Sequence, residues 1–395
     1  MILVYRIVKL KSITLFTINK IISKRFYYFC IFATQNLIMK RKFLLLFVVM
    51  IFASLSTISA QEKKSLIGDY LSISGWMNIQ YDYERQLSND GLTLDEINTF
   101  NVRRARLDFK GNISKNLEFR VQADVAGTPK LVDGFVKIKL DKCFNIQVGQ
   151  FKIPFTFENP QSPLTLEGIE YAQVISKLSG YSDMSGVKTY SGGRDVGVMI
   201  YGNFFSFERD GKEIPILTYK LGVFNGNGMN NKDANTLKDI AASIEVCPGV
   251  KGLMLAASYY DGNYYLNDNE KNANRDRLTF GGKYENGRLT VRSEYITGKT
   301  EMANKDGIYT LNSDGFYVAG GYWFNIKSQK IRPVARYDFL RQDIKNPEKN
   351  STYYMVGIDW WPYKNLRLLV NYTIKDKPGY DKLGNLFQAQ LSVKF

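Results

Sequence analysis

Two arginines in this chain have the spacing needed to act together on a solute. Arg104 and Arg106 lie two positions apart in the stretch VRRARLDFKG. Residues two apart on a β-strand project from the same face, roughly 6.6 Å apart, so one small anion can bridge both guanidinium groups. The alternative is that they pair with acids of the same hairpin, namely Asp108, Glu118 or Asp124. Both interpretations stay open on the sequence alone.

The strand that carries this pair belongs to a predicted hairpin with one apolar and one charged face. Ala105, Leu107 and Phe109 occupy every second position, and the same alternation resumes over residues 117–125 after a short turn. A soluble sheet with one buried face would show this pattern. A transmembrane barrel wall would show it too, with its apolar side toward lipid and its polar side toward a water-filled lumen.

The rest of the chain favours the barrel. From residue 70 the sequence divides into sixteen runs with strand character, at residues 70–84, 100–112, 117–126, 132–140, 144–152, 195–204, 216–225, 238–246, 253–261, 276–285, 288–298, 315–324, 330–341, 353–361, 366–376 and 385–395. Long connections alternate with tight turns, although 205–215 is too long for a tight turn. Long loops at one rim and short turns at the other are the layout of an outer-membrane barrel. We therefore predict an all-β, transmembrane antiparallel barrel of about sixteen strands.

The first sixty residues have the character of a targeting segment. A basic start, a short apolar run and small residues ending at Ala60 predict a signal peptide over 39–60, and 1–38 is interpreted as a spurious upstream extension. This part holds nine basic residues and no acidic ones. Without it, the formal net charge falls from +15 to +6, because the barrel region, 61–395, has 44 basic and 38 acidic residues.

Several classes of protein are excluded or disfavoured. The chain contains no His, which rules out a Ser-His-Asp arrangement. Metal-protease, phosphate-loop and dinucleotide motifs are also missing from the sequence. We therefore predict that the protein is not an enzyme, needs no cofactor or metal, and does not bind nucleic acid. An adhesin or structural barrel remains a second alternative to a channel.

If each strand turns its apolar side outward, its bases line the lumen. Basic residues would then exceed acidic ones along the inner wall, which predicts a modest preference for anions. The predicted pore-lining, anion-binding bases are Arg104, Arg106, Lys110, Arg120, Lys137, Lys139, Lys220, Arg292 and Arg336. In the opposing interpretation these charges form a solvated face, are paired with one another and select nothing.

One long connection could narrow the bore. Residues 154–193 are unusually long for a loop without structure of its own, and a short helix within 166–178 is compatible with their sequence. Folded inward, this loop would constrict a sixteen-stranded barrel that otherwise encloses an open channel. The alternative is an outward surface loop.

The stretch GQFKIPFTFENPQSPLTLEGIEY, together with VRRARLDFKG, resembles the phosphate-selective porin O and P family. The resemblance implies a sixteen-stranded trimeric barrel whose long third loop folds into the lumen. Glu158 and Glu170 best match the family's loop carboxylates, and Lys152 matches the lysine of its G-Q-F-K segment. Together with Glu167, these form the predicted constriction set.

The combined expectation is a diffusion channel of the Gram-negative outer membrane for small hydrophilic solutes, with a modest preference for anions such as phosphate. Its partners would be those solutes, outer-membrane lipid and two further copies of the chain. A non-selective or oligosaccharide-type channel is the alternative function.

Overall fold

A computed structural model of the chain describes residues 71–87, 94–179, 183–184, 193–233, 235–266, 271–304, 307–376 and 384–395. The predicted upstream extension and the predicted signal peptide lie outside these residues. Part of the predicted 154–193 loop also lies outside them.

Seventeen β-strands and one short α-helix make up the described barrel. The strands are β1 (Leu71–Leu87), β2 (Leu94–Ser114), β3 (Leu117–Asp124), β4 (Lys130–Lys139), β5 (Asn145–Lys152), β6 (Arg194–Arg209), β7 (Lys212–Phe224), β8 (Asp239–Val246), β9 (Leu253–Leu266), β10 (Lys271–Glu285), β11 (Leu289–Asn304), β12 (Gly307–Tyr322), β13 (Phe324–Ile326), β14 (Gln329–Arg341), β15 (Asn350–Tyr363), β16 (Leu366–Asp376) and β17 (Gly384–Lys394). Helix α1 is Gln173–Leu178, so only the end of the stretch expected to be helical forms a helix.

The sheet closes on itself as an antiparallel barrel. Each strand pairs with its neighbours in sequence, and β1 pairs with both β2 and β17. Strands β12 and β13 both pair with β14 and are separated only by Trp323, so they share one position in the wall. The barrel therefore has sixteen strand positions, which confirms the predicted fold class. The described residues form no second sheet on which the apolar face could pack.

The two faces of the wall have the polarity of a membrane barrel. On β14, Arg332, Arg336 and Asp338 are buried inside, whereas the intervening Tyr337 is exposed on the outside. Apolar side chains on the outer face are widely exposed, among them Val356, Ile358, Phe280, Val198, Leu221, Val291 and Val318. Because a water-soluble protein would bury such rows, this exposed band requires a lipid environment.

The strands end in short turns at one rim. The predicted long connection at 205–215 is wrong, because β6 runs to Arg209 and β7 starts at Lys212. Phe205 adopts a φ of +54° and has no cross-strand partner. The alternation of apolar and polar residues is therefore interrupted at Phe205, although β6 and β7 remain paired beyond it. Only Asp210 and Gly211 form the turn, so this connection joins the tight ones. Among the described residues, no helix is both long enough and apolar enough to cross a membrane.

A glycine in β5 is required by the backbone. Gly149 has a φ of +127°, and a Cβ there would lie 2.2 Å from the carbonyl oxygen of Gly134. We expect Gly149→Ala to destabilise the barrel by about 2 kcal/mol or more. The measurement is the temperature at which the folded band is lost in heat-modifiability gels. Gly384→Ala is the matched control, because the nearest atom there is 3.4 Å away; equal transition temperatures for the two variants would contradict the argument.

Candidate solute site in the barrel lumen

Hydrogen bonds hold the two ends of the loop that follows β5 close together. The backbone N–H of Ile153 donates to the carbonyl of Gly193 at 3.0 Å, and the side-chain amide of Asn159 donates to the same carbonyl at 3.2 Å. Gly193 adopts a φ of +68° and lies against the Asn159 side chain. These contacts fix where the loop leaves the wall and where it returns.

An apolar cluster holds the described part of the loop inside the barrel. Val174, Ile175 and Leu178 of α1 are fully buried. They belong to one cluster with inward residues from many strands, among them Phe135, Phe151, Met199, Phe224, Ala241, Tyr260, Ile296, Tyr317, Ala319 and Leu340. Burial of such side chains contributes about 1.5–3 kcal/mol each, so the loop is a packed element of the interior.

A chain of ion pairs attaches the loop to the opposite wall. Glu167 lies 2.6 Å from Arg292 and 3.2 Å from Arg332, and Glu158 lies 3.3 Å from Arg292. Asp359 continues the chain, 2.7 Å from Arg332 and 2.7 Å from Arg367. Arg367 also donates to the carbonyl of Leu166 at 2.6 Å. All of these side chains are at most 5% exposed.

Two acids of the wall bind backbone N–H groups of the loop. Glu294 of β11 accepts hydrogen bonds from Phe157 at 2.7 Å and from Glu158 at 3.1 Å. Asp338 of β14 accepts one from Gln173, the first residue of α1, at 2.7 Å. A carboxylate at this position satisfies an N–H that the helix itself leaves free.

The loop covers most of two bases that were predicted to line the pore. Arg292 and Arg336 are 3% and 6% exposed, and Arg292 also reaches the inner end of a lumen cavity. Arg336 donates to the carbonyl of Glu170 at 2.7 Å. Glu158 and Glu167 are likewise buried against the wall, at 0% and 2%. All four residues therefore take part in contacts between the loop and the wall.

A basic cluster occupies the other side of the lumen. Lys152, the last residue of β5, has Arg104, Arg106 and Arg194 as nearby cations and Asp133 as a nearby carboxylate. Arg194 pairs with Asp133 at 2.6 Å. Arg106 pairs with Asp124 at 3.2 Å, which bears out one part of the pairing alternative. Lys152 donates to the carbonyls of Asn159 and Gln161, at 2.6 Å each.

Among the described residues, Arg104 has a donor nitrogen without a partner, and so does the adjacent Arg103, at its Nε. The Nη1 atom of Arg104 is buried and has no hydrogen-bond partner within the described part of the chain. Arg103 and Arg106 flank it, and Glu170 is the nearby carboxylate. A buried guanidinium donor left free beside further cations is the arrangement that an anion would satisfy.

Arg103 is a lumen residue that sequence reasoning missed. The register between β1 and β2 shifts between Asn78 and Ile79, so that Asn78 faces Arg104 while Ile79 faces Val102. Arg103 is the extra residue of this bulge, and its side chain reaches Glu170 at 2.6 Å. Strict alternation assigns Arg103 to the outer face. The only sequence signal for an inward position was that Arg103 is charged and lies beside two arginines predicted to face the lumen.

The remaining predicted bases line the wall and are paired. Arg120 contacts Asp108 at 2.8 Å and Asp133 at 3.0 Å, and Lys110 contacts Asp108 at 3.1 Å. Lys139 lies 2.8 Å from Glu118, Lys137 lies 3.7 Å from it, and Lys220 lies 2.6 Å from Glu245. Their side chains are 26–50% exposed, so they remain open to solvent in the lumen.

A cavity of about 890 Å³ lies between the loop and the rim of short turns. Glu167, Arg292, Arg332 and Asp359 form its inner end. Lys283, Lys330, Lys364 and Lys394 line it together with Trp323, Trp361 and Tyr363. Glu245 and Glu285 line it as well, so this side of the lumen is a charged and aromatic vestibule with more basic than acidic side chains.

A closed sixteen-position antiparallel barrel, apolar outside and charged inside, with a chain segment packed across its lumen, defines a porin-type channel protein. The model of the family described as "Phosphate-selective porin O and P" matches residues 76–395. The chain belongs to this family and is an outer-membrane β-barrel porin. The fold and the family are those of channels.

Solved porins share the fold at low sequence identity. An anion-selective porin from Comamonas acidovorans superposes with a TM-score of 0.61 at 11% identity, covering 82% of this chain and 99% of that one. The channel DcaP of Acinetobacter baumannii gives 0.57 at 12%, covering 82% and 97%. OmpT of Vibrio cholerae in its trimer form gives 0.52 at 12%, covering 83% and 100%. No curated protein sequence matches the chain.

Proposed function

We propose that this porin is a diffusion channel for small hydrophilic solutes with a modest preference for anions such as phosphate. The observation that carries the proposal is the free, buried guanidinium donor of Arg104 beside Arg103, Arg106 and Lys152. Cations that line a narrow passage with low-dielectric walls enrich anions there. Arginine in particular offers donors matched to the oxygens of phosphate or carboxylate.

The preference should be modest because much of the basic charge is neutralised. Arg106, Arg120, Lys139 and Lys220 all have carboxylate partners within 3.2 Å. This pairing is the observation that favours the second candidate, a non-selective channel. In that case Arg104 would belong to the solvated wall and would not select a solute.

The test is planar-bilayer conductance with reversal potentials in a KCl gradient. We expect an anion-selective reversal for the native channel. Replacing Arg104 and Arg106 together by glutamine should lower the anion-to-cation permeability ratio about two- to fivefold, because two positive charges leave the passage. Lys251→Gln is the control, since this exposed lysine lies at the short-turn rim. A cation-selective native channel would refute the proposal, and an unchanged ratio in the double variant would clear these arginines of the role.

The same proposal covers the setting of the channel. The signal peptide would direct export, the apolar outer band would contact outer-membrane lipid, and the chain would assemble as a homotrimer. The trimer form of OmpT, which shares the fold, supports this assembly. We assign the protein no enzymatic activity, no cofactor and no nucleic-acid partner. Mass measurement of the detergent-solubilised protein tests the subunit count.

A further inference from the structure

An ion pair joins β2 to the loop beside Arg104, in the basic cluster proposed to bind anions, which is called the anion site below. Nη2 of Arg103 lies 2.6 Å from Oε2 of Glu170, and the two side chains are 29% and 38% exposed. The other carboxylates in the described part of the loop, Glu158, Glu167 and Asp183, are almost wholly buried. Among these four carboxylates, Glu170 is the one that solvent and solutes can reach.

The backbone at Glu170 is held independently of this ion pair. Arg336 donates to the Glu170 carbonyl at 2.7 Å, and the backbone N–H of the preceding residue, Ile169, donates to Asn371 at 2.8 Å. The side chain can therefore leave Arg103 without moving the loop. A second partner is already close, because the side-chain amide of Gln388 lies 3.4 Å from Oε1 of Glu170.

Arg103 sits directly beside the free donor of Arg104. The bulge in β2 brings two consecutive arginines to the same region of the lumen, where strict alternation would give only one. In the part of the chain that the structure describes, Arg104 has an unpartnered Nη1 and Arg103 an unpartnered Nε, and Arg103 binds the Glu170 carboxylate through its Nη2. A carboxylate and a phosphate present similar oxygens to a guanidinium group, so they compete for the same donors.

We propose that the Glu170 carboxylate is a tethered competitor within the anion site. An entering oxyanion binds Arg104 and replaces Glu170 on Arg103, while Glu170 turns toward Gln388. When Glu170 returns to Arg103, it helps to expel the anion, so that the site binds weakly and releases quickly. This inference rests on the proposed function and assigns Glu170 the control of residence time in the passage.

The energetics of the ion pair suit such an exchange. Ion pairs that solvent reaches contribute little, because water screens them and holding both side chains costs entropy. A solute with two negative charges can therefore displace the carboxylate. The buried pairs of Glu167 cannot exchange in this way, because breaking them leaves charges in a dry environment.

The experiment measures single-channel conductance against the concentration of potassium phosphate at pH 7. We expect Glu170→Gln to lower the half-saturating phosphate concentration about two- to fivefold, since the competitor is gone. The maximal conductance should fall as well, because release slows. Glu118→Gln is the matched control: it removes one lumen carboxylate of similar exposure, 27%, that pairs with Lys137 and Lys139 away from the cluster.

A double variant separates competition from simple electrostatics. In an Arg103→Gln background, Glu170→Gln should shift the half-saturating concentration less than in the native background. An equal shift in both backgrounds, or a Glu170→Gln shift no larger than that of Glu118→Gln, would overturn the inference. In that case an anion-selective reversal potential of the native channel would leave the proposed function standing. Heat-modifiability gels on each variant establish that the barrels compared are folded.

Discussion

Replacing Glu167 by glutamine is expected to detach the loop from the wall and to raise the single-channel conductance about twofold or more, because a sixteen-stranded barrel encloses a wide bore. Glu167 neutralises Arg292 and Arg332 at once, and all three side chains are at most 5% exposed. Removing one member of a buried ion pair costs about 3–5 kcal/mol. Without Glu167, Arg292 keeps only Glu158 and Arg332 keeps only Asp359 as a carboxylate partner. The ion pairs between the loop and these two arginines are then reduced from three to one, which favours release of the loop from the wall.

Glu285→Gln provides the control for this prediction. Glu285 lines the same cavity, but its side chain is 54% exposed and lies 3.9 Å from Lys283. Its replacement should leave conductance and folding temperature close to native values. If Glu167→Gln gives native conductance together with a native heat-modifiability temperature, the ion-pair chain does not anchor the loop.

The second large effect is expected at the apolar contact of α1. Replacing Ile175 and Leu178 together by alanine should cost about 2–5 kcal/mol at each position, because both side chains are fully buried and the barrel wall cannot collapse into the cavity. A helix of six residues has no independent stability, so its packing decides whether the loop stays in place. We expect larger conductance with frequent transitions between levels.

Ser176→Ala tests whether these effects come from packing. Ser176 belongs to the same helix but is only half-buried, so its replacement leaves the apolar contact intact. A steady, native conductance in the Ile175/Leu178 variant would contradict the packing argument. Closure of the channel in that variant would show instead that the loop holds the passage open.

The strand positions were predictable because each strand separates lipid from water. All sixteen predicted runs correspond to observed wall positions, since alternation has a physical cause at every one of them. The prediction failed where the backbone departs from regular geometry. At Phe205 a positive φ interrupts the alternation of apolar and polar residues, so the sequence pattern there predicted a loop.

The site was only partly predictable. Spacing singled out Arg104 and Arg106 as candidates. It missed Arg103, because a bulge shifts the register by one residue and a sequence does not mark where a bulge forms. Arg292 and Arg336 were correctly given an inward direction, yet their partners depend on the path of a loop from a distant part of the chain. Periodicity within a strand carries no information about such a path.

The way the wall closes has a consequence for how this protein must be made. Gly75 exchanges backbone hydrogen bonds with Phe395, and side chains meet across the same junction at a separation of 312 residues. Contacts so distant in sequence form late, because the chain must bring its ends together first. Until then, two strand edges are unpaired and prone to aggregation. A newly made copy therefore stays prone to aggregation until the final strand has docked.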